Sequence, residues 1–296
     1  MFINGRQRKP KVTYLILVSS LLLILFLNGC SSFNEHLAMK DAASFYKQAK
    51  WEDAAKKFEE ALRINPYRAE NWKHLGFCYW NMIEPGSTAQ KDMDATRKAL
   101  DAFQKYLQIV KKDDSIQDYI INLYINQNLL EEGVKYYEEV LKDNPQDTRV
   151  LFTLSQMYGK MGNFDKSLEY SLKKADLTPN DPAGYIYIAA LCWQRSYNRQ
   201  DSPEVREAIV NKGLPQIDKA IQLDPKNSTA YVYKGLLYRQ LSETSKLRAE
   251  DEKDRRKKKE LLDLSEQYLT KANEVRDIAI KLRKEEKEKS EAKATE

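Results

Sequence analysis

A proline that closes a helical segment returns along this chain at a near-regular interval, and that limits the fold more than any other feature. Pro66, Pro145, Pro179 and Pro225 each follow a run whose apolar residues keep helical spacing. Pro145 to Pro179 is 34 residues, Pro66 to Pro145 is two such periods plus 11, and Pro179 to Pro225 is one period plus 12. A fixed period with local excesses implies an array of repeated units carrying insertions, rather than one closed core. The unit is clearest in the stretch Trp51 to Pro66, where Ala54, Phe58 and Ala61 share one helical face. Small residues there let a paired helix approach, and the aromatic ring fills the space beside them.

Composition agrees with helices and excludes some tasks. Gly (10) and Pro (9) are scarce among 296 residues and 31% of residues are charged, so the chain reads as folded and all-α. The formal charge of +5 invites a nucleic-acid reading, but four of the 49 basic residues, Arg6, Arg8, Lys9 and Lys11, lie in a segment expected to be removed. The remaining 45 face 44 acidic residues, so no global electrostatic footprint for nucleic acid survives. Three cysteines cannot form a disulfide framework. Cys78 and Cys192 fall in helical apolar patterns and are expected as small buried residues. A bond between them is the alternative, against which the repeat map sets them three repeats apart.

Cys30 belongs to a different kind of signal. The basic residues are followed by an apolar run from Val12 to Leu27, at 16 residues too short for a spanning helix, which needs about 20. The run ends in Leu27-Asn28-Gly29-Cys30, which resembles a bacterial lipoprotein signal. That resemblance implies cleavage after Gly29 and a diacylglyceryl group on Cys30, with Ser31 compatible with sorting to an outer membrane. The alternative is an uncleaved signal anchor, which the short span disfavours. The expected location is the cell envelope, lipid-anchored, on an outer membrane and facing the periplasm.

The 34-residue period is that of the tetratricopeptide repeat (TPR), and the chain resembles that family over nearly all of its expected mature length. Repeat one has Ala42, Phe45, Ala54, Phe58, Ala61 and Pro66. Repeat two has Trp72, Leu75, Gly76 and Tyr79, then Ala99 and Phe103. Repeat three has Tyr124, Gly133, Tyr137, Val140 and Pro145, and repeat four Leu151, Leu154, Ser155, Tyr158, Ser167 and Pro179. Repeat five has Tyr185, Ile188, Ala189, Ala220 and Pro225, with Cys192 where tyrosine is expected. Repeat six has Tyr231, Gly235, Tyr238, Ser265, Leu269 and Ala272. Lys174 stands where repeat four should have a small residue.

The resemblance implies an α-solenoid of about six helix hairpins, near residues 35–68, 69–113, 114–147, 148–181, 182–227 and 228–283. A signal peptide over 1–29 and a tether over 30–34 precede it. Repeats two, five and six carry insertions between their helices. Ile83 to Ser87 breaks a helix, after which Ser87 is a candidate cap for a long second helix. Ser202-Pro203-Glu204 starts a helix, and Gly213 with Pro215 is expected to interrupt it, leaving an extra short helix near 203–212. No Gly or Pro follows Gly235, and apolar spacing from Leu261 to Leu282 predicts a long hairpin whose second helix passes beyond the repeat. Residues 284–296 are expected as a charged, disordered tail. The run Arg255 to Lys259 reads as a solvated helical tip, with contact to lipid head groups as the weaker alternative.

Catalysis finds no support. His36 and His74 are the only histidines, and neither has a partner at metal-ligand spacing. No phosphate loop, nucleophile elbow or HExxH is present, so no enzyme, metal, cofactor or small-molecule substrate is expected. In the TPR family the first helices line a concave surface that binds peptides or partner helices. Matching positions here are Lys73, Phe77, Trp80 and Asn81, then Asn122, Asn126, Phe152, Gln156 and Lys160, and finally Ile186, Trp193, Gln194, Arg239 and Gln240. Trp80 and Trp193 are the candidate anchors. The resulting expectation is a membrane-anchored, non-catalytic scaffold for other envelope proteins, in assembly of outer-membrane, pilus or secretion machinery. A structural subunit of an envelope complex, or a regulator of cell-wall enzymes, is the alternative.

Overall fold

The structure, a computed structural model, describes residues 33–198 and 200–294. Gly29, Cys30 and the segment around them lie outside the described residues. Helix α1 covers residues 33–47. It is followed by α2 (Trp51–Ile64), α3 (Ala69–Asn81), α4 (Gln90–Val110), α5 (Asp114–Asn126), α6 (Leu130–Asp143), α7 (Thr148–Lys160) and α8 (Phe164–Leu177). Then come α9 (Pro182–Ser196), α10 (Pro203–Leu223), α11 (Ser228–Asp251) and α12 (Arg255–Ala294), with no strand among the described residues. The chain is all-α and built of tandem helix hairpins resembling tetratricopeptide repeats. It divides between α5 and α6 into two compact units, so the boundary falls inside the third predicted repeat.

Three of the junctions between hairpins follow from three residues each, while after Pro66 the cap position is Arg68, with no side-chain bond. The proline stops one helix, and two residues on a side-chain carboxylate or amide caps the next. Asp147 accepts from the backbone N–H of Arg149 and Val150, Asp181 from Ala183, and Asn227 from Ala230. Asp113 does the same for Ser115 and Ile116 at α5. These bonds satisfy amides that a helix start leaves without partners, worth about 1 kcal/mol each. The large residue six positions after the proline then bonds back to its carbonyl: Trp72 to Pro66 at 2.7 Å, Tyr185 to Pro179 at 3.3 Å and Tyr231 to Pro225 at 3.2 Å.

Packing within the first unit (described residues 33–129) runs from helix to sequential helix, α2 on α3, α3 on α4 and α4 on α5. Gly76 shows why a small residue is needed: a methyl group there would stand 2.4 Å from the ring of Phe103, which is fully buried. Tyr79 donates to Glu59 at 2.5 Å, and Tyr124 accepts from Gln104 at 2.8 Å. Each bond spans 20 residues and ties a first helix to the second helix before it. In the second unit Tyr158 repeats the bond, donating to Glu138 at 2.8 Å. Burial first, and then the Glu138 carboxylate, push the Tyr158 phenol up to about 12. Cys78 and Cys192 are buried, free thiols whose burial pushes them up to about 12.

In the second unit (described residues 130–294) α9, α10 and α11 pack mutually and α12 lies along α11. Here the helix expected to break at Gly213 and Pro215 does not: α10 runs unbroken from Pro203 to Leu223. Pro215 removes one backbone bond, to Asn211, on an exposed face. Ile209, Val210, Ile217 and Ala220 on the other face are buried in the core, which keeps the helix continuous past the proline. Gly213 is required by packing instead, since a methyl group there would lie 2.8 Å from Cys192 Cβ.

Three further expectations change. Ser87 does not cap α4: the cap position is Ala89, without a side-chain bond, and Ser87 donates its hydroxyl to Asp92. The added length of repeats two, five and six lies largely in lengthened helices, with 21, 21 and 24 residues in α4, α10 and α11 against 13 in α3. Beyond Lys284 the chain does not fray at once, and α12 continues to Ala294. Lys174 fits its small-residue position by reaching sideways, its ammonium 3.0 Å from Asp181 and near Gly184.

Candidate binding clefts

The first unit holds a cleft of about 730 Å³ beside the C-terminal half of α5. Helix α3 contributes Trp80 and Asn81 at its end, and α5 contributes Tyr119, Asn122, Leu123 and Asn126, which helical spacing puts on one face. The rim is the α3–α4 loop, through Ile83, Pro85 and Gly86. Gly86 has φ of 77°, a turn conformation that favours glycine. The loop is pinned by one carboxylate. Asp92 accepts the Glu84 amide at 3.1 Å and the Ser87 hydroxyl at 2.5 Å, and these bonds hold its carboxyl below the usual range.

Trp80 is the outermost member of a chain of rings. It stands edge-on to Tyr119 at 5.2 Å, Tyr119 meets Phe77 at 5.0 Å, and Phe77 meets Phe103 at 5.1 Å. The indole is thus held by the core while 38% of it remains exposed. No charged side chain lines this cleft, so it can offer an apolar ring surface and amide donors and acceptors to a neutral, extended chain.

A second cleft, of about 610 Å³, lies in the second unit between α7, α8 and α9. It is lined by Gln156, Lys160, Phe164, Tyr187, Leu191, Gln194 and Asn198, among others. Tyr187 stands edge-on to Phe152 at 5.0 Å, and burial raises its phenol above the ordinary range. Lys160 is exposed, so this cleft carries a cation where the first carries none. Arg195 on its edge is engaged by Asp201.

The clefts gather some of the residues expected from sequence and leave others out. Trp80, Asn81, Asn122 and Asn126 come together in the first, and Gln156, Lys160 and Gln194 in the second. Lys73 is turned to Asp113 at 3.4 Å, and Phe77 and Phe152 are half-buried supports. Ile186 and Trp193 pack on the core of the second unit, with Trp193 6.0 Å from Tyr233, so Trp193 lines neither cleft. Arg239 is exposed and lines neither cleft. Gln240 is a correction: it is buried, and its side-chain oxygen accepts from Arg206 at 2.8 Å. Tyr119 and Tyr187 were missed, although each lies on the face already marked, three residues before Asn122 and seven before Gln194.

Among the described residues no group of three or more His, Cys, Asp or Glu is placed to hold a metal, and no helix is long and apolar enough to cross a membrane. His74 is stacked on Phe58 at 5.4 Å and its Nδ1 lies 2.7 Å from the Glu70 carbonyl.

No protein-family model matches the chain. Among solved structures it is similar to YrrB, described as a TPR protein with an unusual peptide-binding site. The identity is 16% over 65% of this chain and 88% of that one, with a TM-score of 0.39. It is also similar to MamA from Desulfovibrio magneticus RS-1, at 15% identity over 66% and 97% of the two chains and a TM-score of 0.39. MamA AMB-1 gives 17% identity over 66% and 93%, with a TM-score of 0.40. These superpositions are loose, and the fold assignment rests on the helix pairs and junctions above.

Proposed function

We propose that this protein is an acylated, non-catalytic scaffold of the cell envelope that docks extended segments of other proteins along its first helices. The observation that carries this reading is the first cleft, where a core-held, exposed tryptophan faces amides on the next hairpin. Such a surface suits main-chain recognition with one apolar anchor and has no group poised to make or break a bond. Leu27-Asn28-Gly29-Cys30 supports the anchoring, with Cys30 as the acylated residue and Gly29 at the cleaved bond. Two acyl signals on one cysteine give a stable attachment that a single chain does not. We place the docked partners among proteins that assemble outer-membrane, pilus or secretion machinery.

The test is a crosslinked pull-down of the acylated protein from native envelopes, with Trp80→Ala as the comparison. Trp80→Ala is expected to lower recovery of partners about tenfold or more, the loss of a hot-spot side chain. Equal recovery with parent and variant would remove the first cleft as the docking site, and Cys30→Ser that keeps its lipid label would remove the anchor.

A further inference from the structure

The outermost helix of a stacked array normally presents a polar outer face, because no further repeat covers it. Helix α1 breaks that expectation at its start. Phe33 is 67% exposed and Leu37, one turn on, 48% exposed. The remaining exposed positions on the same side are His36, Lys40, Ala43, Ser44 and Lys47. No carboxylate stands among them, although α1 has two. Glu35 is turned inward, buried against Arg68 at 2.7 Å, and Asp41 is half-buried beside Lys57 and Arg63.

This sorting of charge separates α1 from α12, the long helix that also exposes apolar side chains. On α12, Leu262, Leu269, Ile278 and Ile280 are exposed, but Asp263, Glu266, Glu274 and Asp277 are exposed among them. Lys271 and Arg276 are exposed there too, so the α12 surface is of mixed charge, and its acids oppose an anionic surface. The outward face of α1, apolar at one end and cationic along its length, attracts one. Its 15 residues measure about 22 Å, and no described helix is of the kind that crosses a bilayer, so α1 fits a position along the surface.

We propose that the outward face of α1 lies on an anionic phospholipid surface. Phe33 and Leu37 enter the headgroup boundary, and Lys40 and Lys47 pair with lipid phosphates. The proposal rests on the acylation reading for its position, since Phe33 follows Cys30 by three residues, about 10 Å of chain at most. The acyl chains hold the protein at the bilayer, and the α1 face fixes how the first hairpin sits on it.

The experiment uses the acylated full chain in vesicles of phosphatidylethanolamine and phosphatidylglycerol, with mass spectrometry of Cys30 to read acylation. Nitroxides are placed at Phe33→Cys, Leu37→Cys and, as a control on α2, Lys56→Cys; Cys78 and Cys192 are buried and stay unlabelled. Labels at 33 and 37 are expected to relax with oxygen and resist a water-soluble nickel chelate, and the label at 56 to do the reverse. Lys40→Glu with Lys47→Glu should return positions 33 and 37 toward the nickel reagent. Labels at 33 and 37 as open to nickel as the label at 56, on protein with acylated Cys30, would overturn the proposal. Shielding that persists without vesicles would overturn it too, marking a protein–protein contact.

A second arm is independent of the anchor. The chain beginning at Ser31, which lacks both the apolar run and the acylated cysteine, should bind phosphatidylglycerol vesicles, and Phe33→Ser with Leu37→Ser should weaken that binding at least about fivefold. Equal binding by the two chains would overturn the α1 face and leave acylation standing. Unmodified Cys30 in the mass spectrum would overturn acylation while this arm still decides the face.

Discussion

The two units carry added length in different ways, and the difference shows what turns an insertion into structure. In the first unit, the extra residues form the α3–α4 loop and the start of α4, and the loop is tied mainly through Asp92. In the second, the start of α10 and the end of α11 are lengthened together and pack on each other. Ile209, Val210, Leu241, Thr244 and Ala249 are buried there. Arg206, only 2% exposed, binds the Ser196 carbonyl at 2.7 Å, Gln240 at 2.8 Å and Glu243 at 3.0 Å. Added length that buries apolar surface becomes part of a core, while length held by a few polar bonds opens at low cost. The first kind extends the core of the second unit; the second kind borders the first unit's cleft.

That contrast can be broken most severely at Arg206. Arg206→Ala takes the donor from Gln240 and from a buried carbonyl, and one ion-pair partner from Glu243, and should cost about 3–5 kcal/mol. Hydrogen exchange should quicken in α10 and α11 and stay unchanged in α2 to α4, since the loss is confined to one unit. Uniform acceleration across both units would show that they do not respond separately.

Gly76→Ala is the matching change in the first unit. The added methyl meets the Phe103 ring, and overpacking of this kind should cost about 1–3 kcal/mol, read as a lower midpoint in urea. The sign is decided by whether the buried ring can turn, so an unchanged midpoint would mean the core there is looser than its packing.

Asp147→Ala removes the cap of α7 and should cost about 1 kcal/mol by the same measurement, with Asp147→Asn restoring most of it. The smallest expected effect is local. Because the folded Asp92 carboxyl lies below its unfolded value of about 3.9, its contribution is complete above that value and is lost as pH falls through the lower folded one. Exchange of the Glu84 amide should therefore be faster, relative to unpinned loop amides, at acid pH than at neutral pH. Asp92→Asn should flatten that dependence, and an unaltered profile would detach the loop from Asp92.

Much of this fold was legible because proline, small and aromatic residues report packing directly. The 34-residue period located the hairpins, and Gly76 and Phe103 stood in the sequence as the pair they form in space. Pro215 misled because propensity speaks for an isolated helix, whereas burial on the far face of α10 outweighs one lost bond. Gln240 misled for a related reason: its repeat position faces outward only where no insertion covers it, and Arg206 from the lengthened α10 does. The cleft was half legible. Its amides and Trp80 follow from repeat register, but the Asp92 pin depends on a loop conformation that periodicity does not encode.

The junctions have a consequence for building with this chain. Pro145-Gln146-Asp147 and Pro179-Asn180-Asp181 perform the same stop and start, with caps 34 residues apart. Excising residues 146–179 joins Pro145 to Asn180-Asp181 and regenerates the same punctuation with one hairpin fewer. Duplicating that segment adds one. The array can therefore be shortened or extended in whole steps at this point, with the reading frame of its helices set by three residues.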